Sequence, residues 1–177
     1  MKIIVAISGA SAAGLGLRAY ELIPDNHEKY LVVSNGAQIV LQSEGCYKNS
    51  DISAPIASGS FGADVMLIAP CSMNTLAKIA CGIADNLITR SAAVMLKERR
   101  RLAIAPRELP FNAIALKNML KLSKTGAIIA PPVLGYYADH KTIDDVERFI
   151  IGRWFDLLGI KNDLYKRWGD EARSDAK

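Results

Sequence analysis

Small hydroxyl-bearing residues gather at three places where an apolar run gives way to a turn. They are Ser8-Gly9-Ala10-Ser11, Ser34, and Pro70-Cys71-Ser72-Met73-Asn74-Thr75. Hydroxyls beside free backbone N–H groups at a helix start can hold a phosphate. A single stretch of this kind reads equally well as a turn or a cap, since Ser and Gly form both. Three of them on one edge of a sheet are harder to read so blandly.

Charged groups add a second theme. In "LKERRRLAIAPRELP" (96–110), the run from Lys97 to Arg101 precedes a short apolar stretch, and Arg107-Glu108 follow it. Tyr136 and Tyr137 come directly after a Pro-Pro-x-x-Gly loop, and Arg153 sits among Ile150, Ile151, Trp154 and Phe155. An arginine in such company is either a snorkelling surface residue or one held for a phosphate.

The elements that must position these groups follow from apolar periodicity. Residues 2–7, "KIIVAI", read as a fully buried parallel strand ending in a tight turn, and 12–23 as a helix stopped by Pro24. A strand at 30–33 leads into Ser34 as N-cap and a helix to about Glu44, followed by a loop over 45–61. Residues 64–70 form a third strand, with a helix entered from "CSMNTLAKIACG". Asp85 is expected to cap the next helix, over 86–99. Strands at 101–106 and 127–131 alternate with helices at 112–123 and 142–158, and the polar tail beyond Gly159 reads as partly frayed. This alternation predicts an open α/β sheet with one core and no repeats: a domain over 1–160 and a polar tail over 161–177.

In such sheets ligands collect beyond the carboxyl ends of the strands, where the three hydroxyl-rich stretches fall. The glycines of "SGASAAG" do not match the G-x-G-x-x-G dinucleotide spacing, and no acidic residue closes the second strand. A mononucleotide with one phosphate, such as FMN, fits better than NAD. Lys97 and Arg107 bracket a strand, and a strand of five to six residues spans roughly 17–20 Å. If both serve one small anion, Lys97 must come from another subunit. Arg99 to Arg101 are accounted for as a solvated, cationic helix end favoured by the helix dipole.

Composition narrows the classes. The 177 residues are 50% apolar and 23% charged, as in an ordinary soluble enzyme, and the net charge of +4 does not by itself suggest a nucleic-acid binder. No apolar run approaches the roughly 20 residues of a membrane span. The N-terminus does not read as a cleavable signal, so a cytoplasmic protein is expected. Cys46, Cys71 and Cys81 are an odd set without metal-ligand spacing, and His27 and His140 belong to no cluster, which argues against a disulfide framework and a metal centre.

Taken together, the segments resemble the UbiX/Pad family of flavin prenyltransferases. The resemblance runs nearly end to end through "SGASAAGLGLR", "SNGAQIVLQSE", "ASGSF", the block from Ala69 to Pro110, "NMLKLSKTGAIIAPP" and "TIDDVERFIIGRWFDLLGI". It implies a Rossmann-like or flavodoxin-like open parallel sheet with helices on both faces, in a single domain. It also implies a homododecamer with FMN between subunits. The implied reaction joins the dimethylallyl group of dimethylallyl phosphate to N5 and then C6 of reduced FMN. The product, prenylated FMN, passes to a UbiD-type decarboxylase. Carried over by position, the FMN-binding residues are Gly9, Ala10, Ser11, Ser34, Ser72, Thr75 and Arg90, with Arg107 adjoining. Lys97, Tyr137 and Arg153 match the positions that hold the dimethylallyl phosphate group. Glu44 and Glu108 match acidic positions tied to proton handling, and Ser11 the flavin N5 region.

The chain departs from that pattern in a short stretch after Glu44, in Ala12 and Ala13, and in Ala115 where some relatives carry His. A cysteine-decarboxylase-type flavoprotein is the enzyme alternative. It uses a histidine near the flavin and a Pro-x-Met-Asn segment, which "PCSMN" only partly echoes. A non-catalytic flavin carrier would have no need of a second phosphate clamp. Nucleic-acid binding through "KERRR" lacks interleaved aromatics.

Overall fold

The computed structural model describes residues 1–9, 11–38, 46–138 and 140–168. Within them the chain alternates β1 (Lys2–Ile7), α1 (Ala13–Glu21), β2 (Glu28–Val33), α2 (Asn35–Gln38), β3 (Tyr47–Lys48) and β4 (Val65–Cys71). It continues with α3 (Met73–Ala80), α4 (Leu87–Lys97), β5 (Arg101–Pro106), α5 (Ala113–Lys124), β6 (Ile128–Ile129) and α6 (Ile143–Leu158). By contacts it falls into two units, Met1–Pro132 and Val133–Lys177.

The strands of the first unit form one parallel sheet in the order β3-β2-β1-β4-β5-β6. This is the Rossmann order, in which the direction of winding reverses between β1 and β4 and opens a crevice beyond their carboxyl ends. Strands β1, β4 and β5 are buried almost throughout, as their unbroken apolar runs require of strands covered on both faces. Ile4, Ala6, Met66, Ile68, Leu102 and Ile104 share a core with Leu76 of α3, Leu87 and Met95 of α4, and Met119 of α5. On the opposite face α1 lies against Ile7 and Ala69. Gly16 makes that approach possible, since a Cβ there would overlap the Ala69 carbonyl oxygen.

Several boundaries differ from the expectation. The 45–61 stretch holds β3 and two short 3-10 turns, Pro55–Ala57 and Gly59–Phe61, rather than loop alone. Asn86, not Asp85, caps α4: its side chain accepts from Thr89 N, and the Thr89 hydroxyl accepts from Asn86 N. Asp85 is engaged elsewhere, by Lys78 Nζ at 2.5 Å and Asn86 Nδ2 at 2.9 Å. Arg100 is not part of a solvated end. Arg99 takes φ 53°, which turns the chain, and Arg100 Nη2 donates to Gly59 O at 3.1 Å.

The second unit carries a 3-10 turn at Tyr136–Ala138 and α6, whose start is fixed by a reciprocal Thr142–Asp145 capping box. Gly159, at φ 76°, ends α6 in the left-handed turn that glycine tolerates. Residues 160–168 are fastened rather than frayed: Ile160 is buried, and Asn162 and Tyr165 bond back to Asp156 of α6.

Candidate active site

The crevice predicted by the strand order is present. Ser8, Gly9 and Ser11 from the end of β1, Cys71, Ser72 and Met73 from the end of β4, and Arg107 and Glu108 from the end of β5 line one cleft. Its walls are tied together by hydrogen bonds. Ser72 N donates to Ser8 Oγ at 3.0 Å, Gly9 N to Ser34 Oγ at 3.2 Å, and Arg107 N to Cys71 O at 3.3 Å. The Ser34 carbonyl starts α2 by accepting from Ala37 N, and its side chain accepts from Gly9 N.

Two helix starts face this edge. Ser72 caps α3 by accepting from Thr75 N at 3.3 Å, and its hydroxyl donates to Thr75 Oγ1 at 3.1 Å. Ala12, in the left-handed region at φ 63°, precedes α1 without any side-chain cap. Leu15 N already donates to Ala12 O at 3.1 Å, so it is the N–H groups ahead of it, of Ala13 and Gly14, that an external acceptor can meet. Gly9, at φ 104°, brings bare backbone to the same place. Neutral hydroxyls, backbone amides and one flanking arginine are the donor set of a phosphate monoester, and they fit the phosphate of FMN. The cleft itself measures about 140 Å³, below the roughly 300–1,000 Å³ of small-molecule pockets. The described walls of one chain thus form a phosphate-sized recess, not an enclosure for a three-ring flavin.

Cys71 sits in the floor of this recess, fully buried, and burial pushes its thiol up to about 12 despite a hydrogen bond with Ser8. Ser8, Cys71 and Met73 belong to the strand-end stretches picked out in the sequence, but none of the three was given a role of its own. Their position at the ends of two central strands was the available signal.

Other expected site residues lie apart. Arg90, on the second turn of α4, is exposed, and its Nε donates to Ala57 O at 3.3 Å. Lys97 ends α4 at the opposite edge of the sheet from Arg107, with β5 between them, and pairs with Glu98. That hydrogen bond and the lysine's charge hold the Glu98 carboxyl below its usual range. Ala10 and Glu44 lie outside the described residues. His27 lies just before β2, at the amino end of the sheet, away from the cleft. Among the described residues no group of three His, Cys, Asp or Glu could hold a metal ion.

Tyr137 and Arg153 belong to the second unit. Tyr137 is exposed and stands edge-on to Phe149, at 5.8 Å between ring centroids, and to Trp168, at 5.3 Å. Arg153 Nη1 donates to Tyr165 OH at 3.3 Å, and that bond raises the arginine's already high pKa further. Burial alone would raise Asp156, but hydrogen bonds from Arg167, Tyr165 and Asn162 hold its carboxyl below the usual range. These groups are scattered over a tail read as polar and carry no periodic signal.

Comparison with known proteins agrees with this geometry. The family model described as Flavoprotein matches residues 1–155. The flavin prenyltransferase UbiX of Helicobacter pylori is 49% identical, covering 96% of this chain and 99% of that protein. The dodecameric FMN-dependent UbiX-like decarboxylase from Escherichia coli O157:H7 superposes with a TM-score of 0.88 at 38% identity, covering 95% of this chain and 99% of that one. AnUbiX (PadA1), solved in complex with FMN and dimethylallyl pyrophosphate, superposes with a TM-score of 0.87 at 40% identity, covering 94% and 96%.

Proposed function

The chain belongs to the UbiX family of flavin prenyltransferases, and from that membership we propose how its residues divide the work. It is a prenyltransferase: reduced FMN, when bound, supplies N5 and C6 as the nucleophiles that take the dimethylallyl group of dimethylallyl phosphate, releasing phosphate and leaving prenylated FMN.

The recess at the ends of β1 and β4 holds the FMN phosphate. Ser11, Ser34, Ser72 and Thr75 offer hydroxyls, Gly9 and Ala10 offer backbone, and Arg107 offers charge; Arg90, exposed on α4 and apart from this recess, is assigned to FMN bound at a neighbouring chain. Lys97, Tyr137 and Arg153 grip the dimethylallyl phosphate. As its allylic C–O bond breaks, negative charge grows on the phosphate oxygens, and preplaced cations stabilise that charge more than they stabilise the ground state. The Tyr137 ring offers a π-face to the cationic carbons. Glu108, in the cleft wall, and Glu44 are the candidates for taking up the proton released on alkylation, and Ser11 lies at the flavin N5.

Because Lys97 and Arg107 stand at opposite ends of β5, a site using both draws Lys97 from a neighbouring subunit. The small recess formed by the described residues of a single chain points the same way. The chain is a homo-oligomer, and the dodecamer of the Escherichia coli neighbour is the assembly we assign. No helix among the described residues is long and apolar enough to cross a membrane. A cytoplasmic location, with a UbiD-type decarboxylase as acceptor of the product, completes the reading; neither nucleic acid nor membrane is needed as a partner.

The observation that carries this reading is the convergence of two helix starts and the Arg107-Glu108 pair on one recess at the β1/β4 switch point. The test is anaerobic incubation of protein with dithionite-reduced FMN and dimethylallyl phosphate, followed by mass spectrometry of the flavin. A flavin heavier by one isoprene unit is expected. Bound flavin of unchanged mass would make the protein a carrier.

A further inference from the structure

Arg153 and Asp156 lie three residues apart on α6, the spacing at which opposite charges meet on a helix. Asp156 is therefore the built-in competitor of any anion that Arg153 is to bind. Yet Arg153 Nη1 stands 3.7 Å from Asp156 Oδ2, beyond hydrogen-bond distance. Both carboxylate oxygens are engaged from the other side. Arg167 Nη1 donates to Oδ2 at 2.6 Å and Arg167 Nη2 to Oδ1 at 2.8 Å, Tyr165 OH donates to Oδ2 at 2.5 Å, and Asn162 Nδ2 to Oδ1 at 3.0 Å. A carboxylate offers about four acceptor positions, and these four bonds fill them.

We propose that Arg167 is a positioning residue for the dimethylallyl phosphate site: it keeps Asp156 occupied, so that Arg153 retains its guanidinium for the phosphate. The proposal rests on the reading that Arg153 grips that phosphate. The fork of Arg167 matches the carboxylate in two parallel bonds, the strongest form of such pairing. Arg153 is left donating to a neutral phenol oxygen at 3.3 Å, and its side chain is 51% exposed, within reach of a ligand. Two arginines against one carboxylate leave the cluster one positive charge in surplus. The segment bearing Arg167 is itself held in register. Asn162 Nδ2 also donates to Gly152 O at 3.3 Å, and the Tyr165 ring lies where a side chain on residue 152 would stand.

The test is the steady-state rate of the full-length protein with saturating reduced FMN and varied dimethylallyl phosphate. In Arg167→Gln, Asp156 is released to capture Arg153. KM for dimethylallyl phosphate is expected to rise about tenfold, the loss of one charge-assisted contact, and kcat to fall with it, since Arg153 also steadies the charge of the leaving phosphate. In the double variant Asp156→Asn/Arg167→Gln the competitor is gone, and KM returns to within about twofold of wild type. Asp156→Asn alone, which creates no new competitor, leaves KM equal to or below wild type. Arg167→Lys, keeping the charge without the fork, falls between wild type and Arg167→Gln. A double variant as poor as Arg167→Gln, or a raised KM in Asp156→Asn, would mean that the cluster only fastens the segment, and the proposal would be overturned. Arg153→Ala separates the two layers. If it leaves KM unchanged, the assignment of Arg153 to the phosphate fails. If it raises KM while Arg167→Gln does not, the assignment stands and only the role of Arg167 falls.

Discussion

The hydroxyl of Ser8 accepts a hydrogen bond from the backbone N–H of Ser72 at 3.0 Å, joining the residue after β1 to the N-cap of α3. The two residues are 64 positions apart, and both line the cleft. One bond between neighbouring strand ends thus ties together two walls of the recess proposed for the flavin phosphate. In Ser8→Ala that amide, beside a fully buried Cys71, keeps no acceptor from residue 8. Stability should fall by about 1–3 kcal/mol, read from urea denaturation. FMN affinity, followed by flavin fluorescence, should weaken in the same variant. Unchanged values of both would mean that Ser8 is only a turn residue.

The approach of α1 to the sheet makes a sharp contrast between two glycines of one helix. A Cβ at Gly16 would overlap the Ala69 carbonyl, which belongs to a central strand and has nowhere to move; a Cβ at Gly14 meets nothing. Gly16→Ala is expected to cost about 3 kcal/mol or to prevent folding. Gly14→Ala should stabilise by about 0.5–1 kcal/mol through helix propensity. Parallel denaturation curves of the two variants check this, and equal effects would contradict the close packing described.

Burial of Cys71 has a pH consequence. Its folded pKa, about 12, lies above the ordinary value of 9.0. The stability this group contributes is therefore complete below pH 9, where both states hold the proton, and is lost as pH rises toward 12. Wild type should accordingly lose stability relative to Cys71→Ala between those limits. At pH 8 iodoacetamide should leave Cys71 unmodified in the native protein and alkylate it in urea, as read by peptide mass spectrometry. Rapid native labelling of Cys71 would show the recess to be open to its floor.

The contrast between what was readable and what was not follows from the range of the interactions. "KIIVAI", "DVMLIAP" and "RLAIAP" announced themselves as strands because a strand buried on both faces has no choice but continuous apolar sequence. The ligand edge followed, since Ser8, Ser72 and Arg107 directly succeed or close those runs. β3 was not legible: Tyr47–Lys48 is too short for any period, and its pairing with Val32 and Val33 is purely tertiary. Asp85 and Asn86 are equally good caps by type. The choice was made by Lys78, which engages Asp85 from the preceding helix. Within the run of three arginines, only the positive φ of Arg99 decides that Arg100 turns to Gly59. The Asp156–Tyr165–Arg167 cluster joins residues nine and eleven positions apart across a helix end, a spacing that no periodic reading detects.

The central claim is that the two ends of β5 serve different active sites, Glu108 in its own cleft and Lys97 in a neighbour's. Co-expression of differently tagged Lys97→Ala and Glu108→Ala chains, followed by isolation of mixed oligomers, tests it directly. Each variant alone is expected to be nearly inactive in prenyl transfer while still binding FMN. If a site takes Lys97 from one subunit and Glu108 from another, random mixing leaves about a quarter of the sites intact, and activity returns to about a quarter of wild type. If both residues act within one chain, every site carries a lesion, and mixed oligomers as inactive as their parents would contradict the account.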